Sequence, residues 1–131
     1  MRRLLLDTSF LVAGERSRGS VAEVLADDDD VAIAAVTVAE LLVGVRLTSG
    51  RRRDARQAYV EEVTSVLPVV AYDIVVAEHH AKLLAEVRRQ GRPRGAHDLM
   101  IAASASATDR AVVTTDHRAF AALPNVDVVA V

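Results

Sequence analysis

Short apolar runs alternate along this chain with longer segments whose apolar residues recur at helical spacing. The runs predict strands over residues 3–7, 31–36, 68–71, 111–115 and 126–131, and the segments between them predict helices after residues 8–9 and over 20–26, 37–47, 51–66, 74–87, 96–108 and 116–123. Near-continuous apolar strands separated by helices are typical of parallel sheets covered on both faces. We therefore expect a three-layer α/β/α sandwich with a mainly parallel central sheet, formed by residues 1–131 as one domain.

Composition excludes several classes of protein. Hydrophobic residues make up 51% of the 131 residues, which excludes a disordered chain. The absence of cysteine removes disulfides, thiolate zinc sites and cysteine nucleophiles, and the net charge of −2 excludes a polycation. Asp7 ends the first apolar run too early for a signal peptide, and Glu40 interrupts the longest one, over 31–45. We expect a cytoplasmic protein without a membrane segment.

Four carboxylates follow an apolar run or begin one: Asp7, Glu40, Asp98 and Asp116. The carboxyl ends of parallel strands meet at one edge of a sheet, where open α/β folds bind ligands. Clustered carboxylates repel one another unless a cation lies among them, and Mg²⁺ or Mn²⁺ is the usual partner of an all-oxygen set. The pattern indicates a site for metal-dependent phosphate chemistry.

Each carboxylate taken alone also has a structural explanation. Glu40 stands three residues after Thr37, the spacing of a capping box. Asp116 could be an N-cap residue, and Asp98 could stabilise a helix dipole. Asp7 could close an Asx-turn at the end of a strand. The combination of all four favours a metal-binding site. An unpaired charge at an apolar strand end is costly, and a cation from solvent would offset that cost.

Four segments in register carry a resemblance to a known family. They are Leu-Leu-Asp-Thr-Ser at 5–9, Thr-Val-Ala-Glu-Leu at 37–41, His-Asp-Leu-Met-Ile-Ala-Ala at 97–103 and Val-Thr-Thr-Asp at 113–116. In order and spacing they resemble the signature segments of PIN-domain ribonucleases along essentially the whole chain. The size, without a further domain, is similar to the VapC toxin branch of bacterial toxin–antitoxin pairs.

The resemblance implies a metal-dependent endoribonuclease. In such enzymes the residues equivalent to Asp7, Glu40, Asp98 and Asp116 hold one or two Mg²⁺ or Mn²⁺ ions, and a metal-activated water attacks the RNA phosphate in line. The expected products carry 5′-phosphate and 3′-hydroxyl ends. The resemblance also implies a homodimer, silenced in a larger assembly by a small VapB-like antitoxin whose C-terminal segment lies along the toxin.

Further residues are candidates for supporting roles. The hydroxyls of Ser9 and Thr114 are candidates for orienting the carboxylates or a bound water. Two loops expected at the rim of the site supply candidate phosphate contacts, which are Arg16, Arg18, Arg92 and Arg94. The basic run over 51–56 is interpreted as a solvated helix start, and the four histidines as structural or surface residues.

Two other functions stay open at this point. One is a non-catalytic module whose acidic pocket receives a basic peptide, although such binding would not need all four carboxylates. The other is a phosphatase or phosphoacceptor domain with Asp7 as nucleophile. That chemistry usually needs a second acid two positions on and a nearby lysine, whereas the chain has Ser9 there and Lys82 as its one lysine, in the middle of a predicted helix.

Overall fold

A computed structural model describes residues 1–17 and 24–131 of the chain. In order, these residues form β1 (Arg3–Leu6), α1 (Thr8–Arg16), β2 (Asp30–Ala34), α2 (Ala35–Arg46), α3 (Gly50–Val66), β3 (Val69–Val70), α4 (Ile74–Gln90), α5 (Ala96–Ala107), β4 (Ala111–Thr114), a 3-10 turn (His117–Ala119) and β5 (Val128–Ala130). The helix predicted over 20–26 falls mainly outside the described residues.

The five strands form one parallel sheet in the order β3-β2-β1-β4-β5. Alternate residues of β1 pack into two different cores. Leu5 lies in a core with α4 and α5, whereas Leu4 and Leu6 lie in a core with α1, α2 and α3. Helices therefore cover both faces of the sheet, and the predicted α/β/α sandwich is confirmed.

The strand order places a topological switch point between β1 and β4. From β1 the chain builds outward through β2 and β3, and it then crosses to the other side of β1 to add β4 and β5. Crevices outside the carboxyl ends of strands at such a point are where open α/β sheets bind ligands. Asp7 follows β1 directly and Asp116 lies two residues after the end of β4, so both lie at this crevice.

The beginning of α2 differs from the prediction in a way that affects Glu40. The strand predicted over 31–36 ends at Ala34, and α2 begins at Ala35 with Ala34 as its N-cap. Glu40 therefore lies in the second turn of α2, where it cannot close a capping box with Thr37. The capping explanation of Glu40 is wrong.

One other element also differs from the sequence-based expectation. The helix predicted over 116–123 is reduced to the 3-10 turn, and the positive φ angles of Ala122 and Asn125 exclude helix there. The helix predicted after residues 8–9 is α1, which continues through the buried Gly14 to Arg16. Among the described residues, no helix combines the length and apolar character needed to cross a membrane.

Candidate functional site

We call Asp7, Glu40, Asp98 and Asp116 the acidic set. Asp7 is its buried member, with only 4% of its surface exposed. Two hydroxyls hold its carboxylate: Ser9 Oγ and Thr114 Oγ1 each donate to Asp7 Oδ2 at 2.7 Å. Both hydrogen bonds offset part of the cost of burying this polar group. Among the described residues Asp7 Oδ1 accepts no hydrogen bond, so this oxygen remains available to a further partner.

The same two hydroxyls tie the end of β1 to the segment after β4. Ser9 Oγ accepts from the backbone N–H of Thr115 at 3.2 Å, and Thr114 Oγ1 accepts from that of Asp116 at 2.9 Å. Each hydroxyl therefore donates to Asp7 and accepts from the backbone beside Asp116. Ser9 and Thr114, which we call the hydroxyl clamp, fix the spacing between two of the four carboxylates.

Glu40 is half-buried and is oriented from two sides. Thr8 Oγ1 donates to Glu40 Oε1 at 2.7 Å, and His97 Nδ1 lies 3.4 Å from Glu40 Oε2. The His97 contact is an ion pair only when the imidazole is protonated. The sequence-based interpretation of His97 as a structural or surface residue missed this contact, although its place beside Asp98 was a usable signal.

Asp98 lies in the first turn of α5 and interacts electrostatically with the other three carboxylates. Burial raises the pKa of Asp98 above its usual value, and the charges of Asp7, Glu40 and Asp116 raise it further, while His97 lowers it. A carboxyl group responds in this way only to charges near it. The fold therefore brings Asp7, Glu40 and Asp116 within electrostatic range of Asp98.

The side chains are not gathered as ligands of a single ion. Among residues 1–17 and 24–131, no three His, Cys, Asp or Glu side chains form a group that could hold a metal. Mutual repulsion favours such spreading, and Asp116 extends into solvent. The donor chemistry nevertheless suits a hard divalent cation, which would offset the repulsion that raises the pKa of Asp98.

The candidate phosphate-binding arginines lie in different settings. Arg16 ends α1 instead of lying in a loop, Arg92 is exposed, and Arg18 is outside the described residues. Arg94 donates from NH1 to the carbonyl of Ala119 at 3.0 Å and from NH2 to that of Ala121 at 2.6 Å. Its guanidinium thus holds the backbone that follows Asp116. Contacts of these arginines with RNA stay a prediction.

The basic run over 51–56 contributes to the surroundings of the site, which its interpretation as a solvated helix start did not anticipate. Arg52 and Arg56 line a groove of about 550 Å³ together with Glu40 and Arg16. The usable signal was their spacing, because residues four apart lie on the same face of a helix.

Comparison with known proteins agrees with this arrangement. The PIN domain family model matches residues 4–126. The tRNA(fMet)-specific endonuclease VapC of Shigella flexneri is 32% identical over 122 residues, which cover 92% of this chain and 91% of that protein. Ribonuclease VapC of Rickettsia bellii is 28% identical over 129 residues, which cover 98% of this chain and 96% of that protein.

A solved structure shares the fold over nearly its full length. The crystal structure of DNA-bound VapBC from Salmonella typhimurium contains a chain that matches with a TM-score of 0.88 and 29% identity, covering 98% of each chain. The family model spans nearly all of the chain, including all four carboxylates. The chain therefore belongs to the PIN-domain family and, within it, to the VapC ribonucleases.

Proposed function

We propose that this chain is a Mg²⁺- or Mn²⁺-dependent endoribonuclease that acts as the toxin of a VapBC-type pair in the cytoplasm. It hydrolyses RNA phosphodiesters with water and leaves 5′-phosphate and 3′-hydroxyl ends. The proposal rests on the placement of Asp98 near Asp7, Glu40 and Asp116: burial raises the pKa of Asp98, and the charges of these three carboxylates raise it further. Membership of the VapC ribonucleases gives the reaction class.

Asp7, Glu40 and Asp116 are held in different ways in this proposal. Asp7 is the fixed member, since the hydroxyl clamp occupies Oδ2 and leaves Oδ1 for a cation. Thr8 orients Glu40, and the exposed Asp116 completes the set from the segment that the clamp holds. A divalent cation bound there supplies positive charge for the phosphate and lowers the pKa of a water molecule.

We also propose a VapB-like antitoxin as partner and a homodimer as the toxin's own assembly. The Salmonella typhimurium relative was crystallised as VapBC bound to DNA. Surface features of this chain support a protein partner: an apolar groove of about 240 Å³ between α1 and α3 is lined by Leu11, Tyr59, Val63 and Val66. Grooves of this kind receive the apolar face of an amphipathic helix.

Cleavage by the purified protein tests the proposed function. End-labelled transfer RNA and messenger RNA fragments are incubated with Mg²⁺, Mn²⁺ or excess EDTA, and the ends of the products are mapped. Cleavage is expected only with a divalent cation, and Asp98→Asn should abolish it. Asp54→Asn is the matched control, because Asp54 is exposed on α3 outside the site. Undiminished cleavage by Asp98→Asn, or in EDTA, contradicts the proposal.

The non-catalytic binding module is a second candidate, favoured by the spread carboxylates. It predicts no heat of binding when MnCl₂ is titrated into the protein, together with retained binding of a basic antitoxin peptide. The phosphoacceptor candidate has less support. The carboxylate of Asp7 is buried and accepts two hydroxyl hydrogen bonds, and Lys82 is exposed on α4.

A further inference from the structure

The groove beside Glu40 combines positive charge with access to the acidic centre. It has a volume of about 550 Å³, lies between α1, α2 and α3, and is lined by three arginines and two glutamates: Arg16, Arg52, Arg56, Glu15 and Glu40. Because Glu40 belongs both to this groove and to the acidic set, any ligand in the groove lies next to the proposed reaction centre.

The charges in the groove do not cancel. Arg56 is held in place, since NH1 donates to the carbonyl of Gly44 at 3.2 Å and Nε lies 3.9 Å from Glu15 Oε1. This contact offsets the charge of Glu15. The side chains of Arg16 and Arg52 form no ion pair or hydrogen bond with any residue in the described ranges. Two guanidinium groups are therefore free for an anionic ligand.

Only some arginines of α3 line the groove. Arg52 and Arg56 are four residues apart and line it, whereas Arg51 and Arg53, which are exposed like Arg52, do not. Overall charge cannot explain attraction to a polyanion, because the chain carries −2 and the reaction centre itself is acidic. A ribonuclease of this kind needs a local cationic surface that leads to the centre.

Building on the proposed function, we propose that this groove binds the RNA backbone beside the phosphate that is cleaved. Arg16 and Arg52 contact backbone phosphates, and Arg56, held by Gly44 and Glu15, lines the groove with them. Guanidinium groups bind phosphate through two parallel hydrogen bonds, a geometry that lysine does not offer. Such contacts set the position of the strand without reading its bases.

Binding to a nuclease-inactive protein tests the groove separately from catalysis. In an Asp98→Asn background, the anisotropy of a labelled single-stranded RNA of mixed sequence is measured over a range of salt concentrations. Arg52→Gln and Arg16→Gln are each expected to weaken binding about fivefold to tenfold. Each should also reduce the steepness of the log-affinity against log-salt plot by about 0.7.

Arg51→Gln and Arg53→Gln are the matched controls, because they make the same charge change at neighbouring positions of α3 that do not line the groove. Little change is expected from them. Equal losses of RNA affinity from Arg52→Gln and Arg53→Gln would contradict the proposal that this groove binds RNA. So would unchanged affinity in both Arg52→Gln and Arg16→Gln. Metal-dependent cleavage by the unmodified protein would still support the proposed function in that case. Absence of cleavage would contradict the proposed function but would not affect the conclusion about RNA binding in the groove.

Discussion

Gly95 stands so close to Asp98 that a Cβ atom at position 95 would lie 2.9 Å from Asp98 Oδ2. The backbone of Gly95, with φ of −59° and ψ of 137°, is open to any L-residue, so conformation does not require glycine there. The missing side chain instead leaves space for a carboxylate. Gly95 therefore helps to set where one member of the acidic set lies.

Substituting Gly95→Ala should reduce cleavage while leaving the fold intact. The new methyl group displaces a flexible carboxylate, not backbone, and small misplacements of catalytic groups can cost about 10- to 100-fold in rate. Stability should change by no more than ~1 kcal/mol, because alanine restricts the unfolded chain but is a poorer N-cap residue than glycine. Turnover and urea denaturation of the same preparation check both parts. Full activity in Gly95→Ala would show that the position of Asp98 tolerates the shift.

Loss of the Arg94 side chain should loosen the segment after Asp116. Arg94→Gln removes donors from the carbonyls of Ala119 and Ala121, and unpaired carbonyls cost roughly 1–3 kcal/mol where they are buried. Hydrogen exchange over residues 116–123 should become faster. Arg92→Gln is the control, since Arg92 is exposed in the same loop. Weaker RNA binding with unchanged exchange would instead support the phosphate contact predicted for Arg94.

The hydroxyl clamp is tested by Thr114→Val, which keeps the branched shape and removes the hydroxyl. Asp7 Oδ2 then loses one donor and the N–H of Asp116 loses its acceptor. A loss of roughly 1–3 kcal/mol in unfolding free energy is expected, with slower cleavage because two carboxylates lose their fixed spacing. Thr115→Val, at the exposed neighbouring position, should change neither quantity. Equal stability and equal cleavage rates in the two variants would contradict a role for the hydroxyl clamp.

The sequence predicted the fold and the family because both depend on patterns that are local. Apolar runs identified all five strands, and the acidic residues near the ends of β1 and β4 identified the edge of the sheet where the site lies. The prediction of a PIN-domain ribonuclease of the VapC branch is confirmed. The assignment of the four carboxylates to a metal stays a prediction, which the electrostatics of Asp98 support.

What the sequence could not supply is the set of contacts between distant segments. Ser9 was a candidate for orienting carboxylates, but its bond to the backbone of Thr115 joins positions 106 residues apart. Arg94 was placed correctly in its loop, yet no local pattern shows which carbonyls a long side chain reaches. Glu40 had capping-box spacing, and only the direct join of β2 to α2 shows that the helix begins too early for it.

The raised pKa of Asp98 predicts how stability depends on pH without metal. Between the ordinary value of 3.8 and the raised folded value, the folded state keeps a proton that the unfolded state has lost. Stability therefore falls as pH rises through that window and stays lowered above it. Asp98→Asn removes this cost, so in EDTA at pH 7 it should be more stable than the unmodified protein.

The expected gain is small, because Asp98 is only half-buried and solvent screens its charge, and it should vanish as the pH falls below 4. Added Mn²⁺ should make the unmodified protein more stable than Asp98→Asn. Binding to the folded state alone contributes about 2.7 kcal/mol when the free ion is at 100 times its dissociation constant. The unmodified protein and Asp54→Asn should show this increase in urea melts and Asp98→Asn should not. A stabilisation by Mn²⁺ that is equal in all three proteins would place the ion away from Asp98.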